Sequence, residues 1–192
     1  MPPAKPGERK LQILQTLAEM LQKPQGEKIT TASLAAKIGV SEAALYRHFA
    51  SKAQMYEGLI EFIEQTLFGL VTKITSEEVS GKKQMEAVLP LLLGFAQKNP
   101  GMTRVLIGEA LVNEDNRLQT RINQLHDRLE STLKQSLRLA ASQQDLPASI
   151  DAAAQANLMM SFVLGRWHQF AKSGFTRAPM EYWAAQGQAL IG

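Results

Sequence analysis

Between residues 46 and 52 the chain carries a phenol, a guanidinium, an imidazole and an ammonium: Tyr46, Arg47, His48 and Lys52, with Phe49 among them. A solvated helix end has no need of these four together. Phosphate oxygens are held by such side chains and by backbone N–H groups at helix N-termini. The chemistry on offer is therefore anion recognition, not bond breaking. The absence of Cys removes any thiol nucleophile or thiolate metal site. The histidines at 48, 126 and 168 are far apart, with no H-x-x-x-H or E-x-x-H spacing, and no P-loop, G-x-S-x-G or paired-carboxylate pattern occurs. The expectation is a binding protein, with no enzymatic activity, no metal and no cofactor.

Two elements must hold that cluster in place. Short helical patterns at Ala32–Ile38 and Glu42–His48 flank the turn Gly39-Val40-Ser41. That is the layout of a helix-turn-helix, whose second helix enters the DNA major groove. Gly39 takes positive φ without steric cost, and Ser41 suits the N-cap of the second helix. Leu34, Ala35, Ile38, Val40 and Leu45 supply a small core. Glu42, Ala43, Ala44, Tyr46, Arg47 and His48 are left to face outward. Ser51, with Gln54 three residues on, is a capping-box pattern opening a long helix. Charge agrees: residues 1–56 hold eight Lys/Arg against four Asp/Glu, while the remainder holds 13 against 14. DNA binding by such a segment is strongly salt-dependent, because phosphate contacts release counterions.

The run T-x-x-x-L-A-x-x-x-G-V-S-x-x-x-L-Y-x-H-F-x-S-K, from Thr30 to Lys52, resembles the TetR family of repressors. The resemblance implies that Tyr46 and His48 touch phosphates, that Lys52 clamps the DNA backbone and that Phe49 is core. It also implies that Glu42 to Ala44 lie against base edges, with Thr30, Thr31, Ser41 and Arg47 completing the DNA-contacting set. Outside the head, LIEFIEQTL, LLLGFAQKNPGMTRVL and RLQTRINQL are similar to the nucleoid-occlusion branch of that family. This implies a partner, the C-terminal tail of the tubulin-like division protein FtsZ, met by Phe62, Leu91, Gly94, Lys98 and Asn99. Two departures stand out. Leu70 occupies a position where relatives carry Arg, with Lys73 one turn on as the nearest replacement. Pro90 interrupts what should be a continuous helix beside the groove.

The rest of the chain reads as helical. Residues 1–7, with three prolines, read as a flexible arm, and Lys5, Arg9 and Lys10 are candidates either for phosphate contact or for a solvated tail; 8–51 are expected to form the helix-turn-helix domain and 52–192 an all-helical body. Leu14, Leu17, Ala18 and Leu21 stripe a first helix that stops near Pro24 and Gly26. A long helix runs from Lys52 to about Ile74, a polar break follows at Thr75–Lys82, and helices fit about 83–98, 102–111, 115–142, 148–172 and 179–190. Asn99-Pro100-Gly101 is a turn signal, and Pro147 and Pro179 stand where first helical turns begin. The fold class is all-α.

Met159, Met160, Val163, Trp167 and Phe170 stripe the segment 152–171, and with Tyr182 and Trp183 they exceed one monomer's needs. They predict a homodimer interface, a palindromic double-stranded DNA site and the option of higher assembly on DNA. A competing reading of the body is the inducer-responsive repressor, with Trp167, His168, Met159 and Phe95 lining a small-ligand pocket. Without a membrane-length apolar run or a signal-peptide core, the expected location is the cytoplasm, at the nucleoid.

Overall fold

The computed structural model describes residues 6–23 and 29–192, and among these every regular element is a helix. In order they are α1 (Pro6–Met20), α2 (Thr31–Ile38), α3 (Glu42–Tyr46), α4 (Lys52–Glu77), α5 (Gly81–Lys98), α6 (Pro100–Leu106), a 3-10 turn (Glu109–Leu111), α7 (Asn116–Ser142), α8 (Ala152–Lys172) and α9 (Trp183–Ile191). Helices α1 to α3 make a head. Helices α5, α7 and α8 pack into the heart of the body, α4 leads from one to the other, α9 lies against α5, and α6 lies against both α1 and α8.

The starts are written in side-chain oxygens. Ser51, Ser80, Asp115 and Asp151 each accept a backbone N–H at the opening of α4, α5, α7 and α8, which satisfies donors a helix leaves orphaned. Gln54 does close a capping interaction at α4, but its Oε1 takes the N–H of Ala50, one residue before the cap.

Several boundaries differ from expectation. α1 begins at Pro6, inside the expected arm, because a proline at the first helical position gives up no hydrogen bond. The rest of the arm, including Lys5, and the stop at Pro24 and Gly26 lie outside the described residues. Pro147 and Pro179 do not start helices; α8 waits for the Asp151 cap and α9 for Tyr182. The Asn99-Pro100-Gly101 turn is only a change of axis, with Pro100 opening α6 at once. Gly101 is there for space: a Cβ would stand 1.9 Å from the Ala18 carbonyl oxygen of α1. Pro90 does not break α5, which runs unbroken from Gly81 to Lys98. Burial of Leu89, Leu92, Leu93 and Ala96 around it offsets the ~3 kcal/mol that an interior proline costs.

Met159, Met160, Val163, Trp167 and Phe170 are not an interface. All five are buried inside a single chain, with Trp167 fully enclosed and its Nε1 donating to the Leu92 carbonyl at 3.1 Å. Their helical spacing marks one face of α8, and that face packs on α5 and α7. The opposite face presents Ala154, Leu158, Ser161, Gly165 and His168 to solvent. The same geometry undoes the ligand-pocket grouping. Trp167, Met159 and Phe95 are core while His168 is exposed, so the four do not share a lining.

Candidate nucleic-acid interface

The head is assembled from local hydrogen bonds around a small apolar centre. Thr30 caps α2 by accepting the Ser33 N–H at 3.0 Å, and Ser33 Oγ accepts the Thr30 N–H at 3.0 Å, a reciprocal capping box. At the other end Gly39 sits at φ +78°, and its N–H reaches the carbonyls of Ala35 and Ala36, closing α2 as a left-handed cap. Ser41 caps α3 through the Ala44 N–H. Leu34, Ala35, Leu45 and Phe49 are buried, and Ile38 and Val40 pack against them, as their spacing predicts.

The outward side chains converge. Tyr46 Oη donates to Thr31 Oγ1 at 3.3 Å, and Thr31 Oγ1 donates to Glu42 Oε2 at 2.6 Å. This chain of bonds ties the first turn of α2 to the first and last residues of α3. It holds a phenol and a carboxylate on one exposed surface beside Ala43 and Arg47. Ala44 and His48 are half-buried, and α3 ends at Tyr46, so Arg47 and His48 belong to the turn after the helix. Neighbouring cations line the same domain: Lys37 pairs with Glu19 at 3.4 Å, and the Lys10 ammonium stands 5.7 Å from the Phe49 ring centroid. Thr30 therefore has a structural task that the motif alone did not reveal. Thr30→Ala is expected to lower stability by about 1 kcal/mol, measured as a shift in the urea midpoint of the full chain. An unchanged midpoint would mean that the cap contributes nothing.

Lys52 begins α4 but is not free. Its Nζ pairs with Glu114, from the link between the 3-10 turn and α7, and lies 5.6 Å from the Tyr56 ring centroid. Burial first, and then the Glu114 carboxylate, push the Tyr56 phenol up to about 12, against the opposing pull of Arg104. Arg104 bridges body and head directly. Its Nη1 donates to the Leu21 and Lys23 carbonyls at 3.0 Å each, while its guanidinium pairs with Glu109. None of these contacts between distant segments is visible as a motif.

Exposed apolar groups also occur on α4 and α5, which are joined by Glu78–Ser80. Phe62 and Leu70 of α4 are 36% and 43% exposed, large values for apolar side chains, and Leu91 and Gly94 of α5 are partly exposed. A Cβ at Gly94 would meet nothing within 4 Å, so packing within the chain gives no reason for a glycine there. Lys98 is exposed. Asn99 is partly exposed, and its side-chain amide donates to the Phe95 carbonyl at 2.8 Å, which helps to close α5. Bidentate Arg121–Glu64 contacts at 3.1 to 2.6 Å brace the other side of α4 against α7.

Two family models match the chain: one described as bacterial regulatory proteins, tetR family, over residues 13–59, and one as a tetracyclin repressor-like, C-terminal domain of SlmA-like type, over residues 81–191. The chain is 51% identical over 195 aligned positions to the nucleoid occlusion factor SlmA of Alteromonas mediterranea, covering all of both chains. It is 49% identical to the protein of the same name from Idiomarina loihiensis, over 95% of this chain and 93% of that one. In fold it is similar to a TetR-family transcriptional regulator from Agrobacterium tumefaciens, with a TM-score of 0.80 over 97% of each chain at 16% identity.

Proposed function

The chain belongs to the TetR family of bacterial regulatory proteins and, within it, to the nucleoid occlusion factors, and we propose that it works by joining two surfaces in one dimer: a DNA-reading head and an FtsZ-binding groove. It carries a TetR-type DNA-binding domain at its N-terminus. The observation that carries the proposal for the body is the exposed apolar pair Phe62 and Leu70, on a hairpin whose partner helix offers the open Gly94 and the basic Lys98.

In the head, the N-terminus of α3 enters the major groove, with Glu42, Ala43 and Ala44 toward base edges. Thr30, Thr31, Ser41, Tyr46, Arg47, His48 and Lys52 hold phosphates on either side. The outward face of α8, with Ala154, Leu158, Ser161 and Gly165, meets its copy about a two-fold axis, because small side chains let two helices approach closely. A two-fold dimer reads a palindrome. In the body, the FtsZ tail lies along the α4–α5 groove, its apolar residues against Phe62, Leu70 and Leu91, its backbone at Gly94 and an acid at Lys98. Dimers concentrated on chromosomal sites then antagonise a division ring over the nucleoid. No helix among the described residues is long and apolar enough to cross a membrane, which suits work at the nucleoid in the cytoplasm.

The test is FtsZ sedimentation with GTP, with and without the full chain and a duplex selected from a random pool. Polymer falls, and falls further with the selected duplex. Unchanged polymer beside tight palindromic DNA binding would make the chain a transcriptional repressor instead. Separable variants sharpen the test. Tyr46→Ala loses duplex binding but stays dimeric. Phe62→Ala and Lys98→Glu keep duplex binding and lose the effect on FtsZ. If both groove variants still antagonise FtsZ, the groove assignment is wrong.

A further inference from the structure

Lys52 opens α4 where an ammonium would meet a DNA phosphate, yet the body already occupies it. In its pair with Glu114 the lysine side chain is 23% exposed and the glutamate 15%. Glu114 lies 62 residues further along the chain, in a link shaped to present it. Asn113 sits at φ +67°, in the left-handed region that a non-glycine residue rarely adopts. The Glu114 N–H returns to the Leu111 carbonyl at 3.0 Å. The neighbouring acid, Asp115, is committed elsewhere: it caps α7 and holds Arg117 at 2.7 Å.

We propose that Glu114 is an intramolecular stand-in for DNA phosphate, competing with the duplex for Lys52 and so coupling occupancy of the head to the loop that begins α7. The inference rests on the DNA-binding reading of the head. The counterions that binding releases come from the DNA, so what the pair adds is a competitor: Glu114 must be displaced before Lys52 can neutralise a phosphate. Largely shielded from water, the pair is less screened than one on the open surface. Phosphate can take Lys52 only as Glu114 lets go and its carboxylate becomes hydrated, which moves the 112–115 link. Linkage makes the effect reciprocal: whatever draws Glu114 away from Lys52 tightens DNA binding, by the factor with which DNA frees Glu114. The next residues of α7 carry this toward the proposed groove. Arg117 and Arg121 reach Glu57 and Glu64 on α4, the helix that bears Phe62.

The experiment is a salt titration of duplex binding, by fluorescence anisotropy, with the full chain, Glu114→Gln, Lys52→Gln and the double variant, all on the selected palindrome. Glu114→Gln is expected to bind roughly five-fold tighter per protomer, the worth of one released ion pair. Its log–log salt slope stays close to the parent's, because Lys52 neutralises the same phosphate in both complexes. In the Lys52→Gln background the same change produces no gain. An equal gain in that background overturns the proposal, because the effect is then general charge. So does unchanged or weaker binding by Glu114→Gln, since Glu114 then positions Lys52 instead of competing for it. Failure of the parent chain to bind any duplex would sink the reading of the head, and it would be seen before Glu114 is altered.

Discussion

Trp167→Ala is expected to remove about 3–5 kcal/mol of stability, enough to unfold much of a marginally stable chain. Trp167 of α8 is fully buried, its ring 6.0 Å from that of His126 on α7 and its Nε1 bonded to the Leu92 carbonyl of α5. Alanine leaves an empty volume that packed helices fill only in part. The environment is apolar enough that burial lowers the pKa of the neighbouring His126 imidazole, favouring its neutral form. Urea unfolding at fixed protein concentration measures the loss, since a dimer's midpoint moves with concentration. The near-ultraviolet dichroism of the remaining Trp183 reports whether tertiary packing survives. An interface residue would give the opposite result, a well-folded monomer with its unfolding midpoint little changed, and that outcome would overturn the core assignment.

Leu158→Glu is expected to do what Trp167→Ala does not: split the dimer and leave the monomer folded. Leu158 lies on the exposed face of α8 between Ala154 and Ser161, two turns from Gly165. At a two-fold contact each substituted residue meets its own copy or a close neighbour of it, so two carboxylates are forced together in a shrinking dielectric. Sedimentation equilibrium then shows a monomer. Because the two heads no longer bind as one unit, affinity for a full palindrome falls by about 10²-fold or more, while affinity for an isolated half-site is unchanged. A dimer that persists in Leu158→Glu would move the two-fold axis off this face.

These two variants sit nine residues apart on one helix, and their contrast shows where sequence reading stops. Apolar spacing through Ala156, Met159, Met160, Val163 and Trp167 announces that one face of α8 is covered. It carries no information on whether the cover is the chain's own α5 and α7 or a second copy, because burial by either costs and gains the same. Leu158, Ser161 and Gly165 fall off that spacing and draw no notice. Only the placement of neighbouring helices shows that they are the open side.

The head was legible almost residue by residue. Gly39, Ser41 and Ser51 act within four residues of their partners, and such interactions are written in adjacent letters. The apolar set Leu34, Ala35, Leu45 and Phe49 is packed by the same short-range geometry. The number of helices and their approximate spans followed from periodicity, but their first residues did not where proline competed with a capping acid, as at Pro147 and Asp151. The continuity of α5 through Pro90 was not legible either, because what offsets the proline is tertiary burial. The amino-acid sequence by itself thus determined an all-helical chain with a helix-turn-helix, its caps and its small core, since those depend on backbone propensity, caps and contacts a turn apart. Tertiary structure alone decided which face of α8 is open, that Asn99 helps to close α5, and that Lys52 is held by Glu114. Each of these rests on groups brought together by packing or on a hydrogen bond with more than one available partner, and no local rule chooses among them.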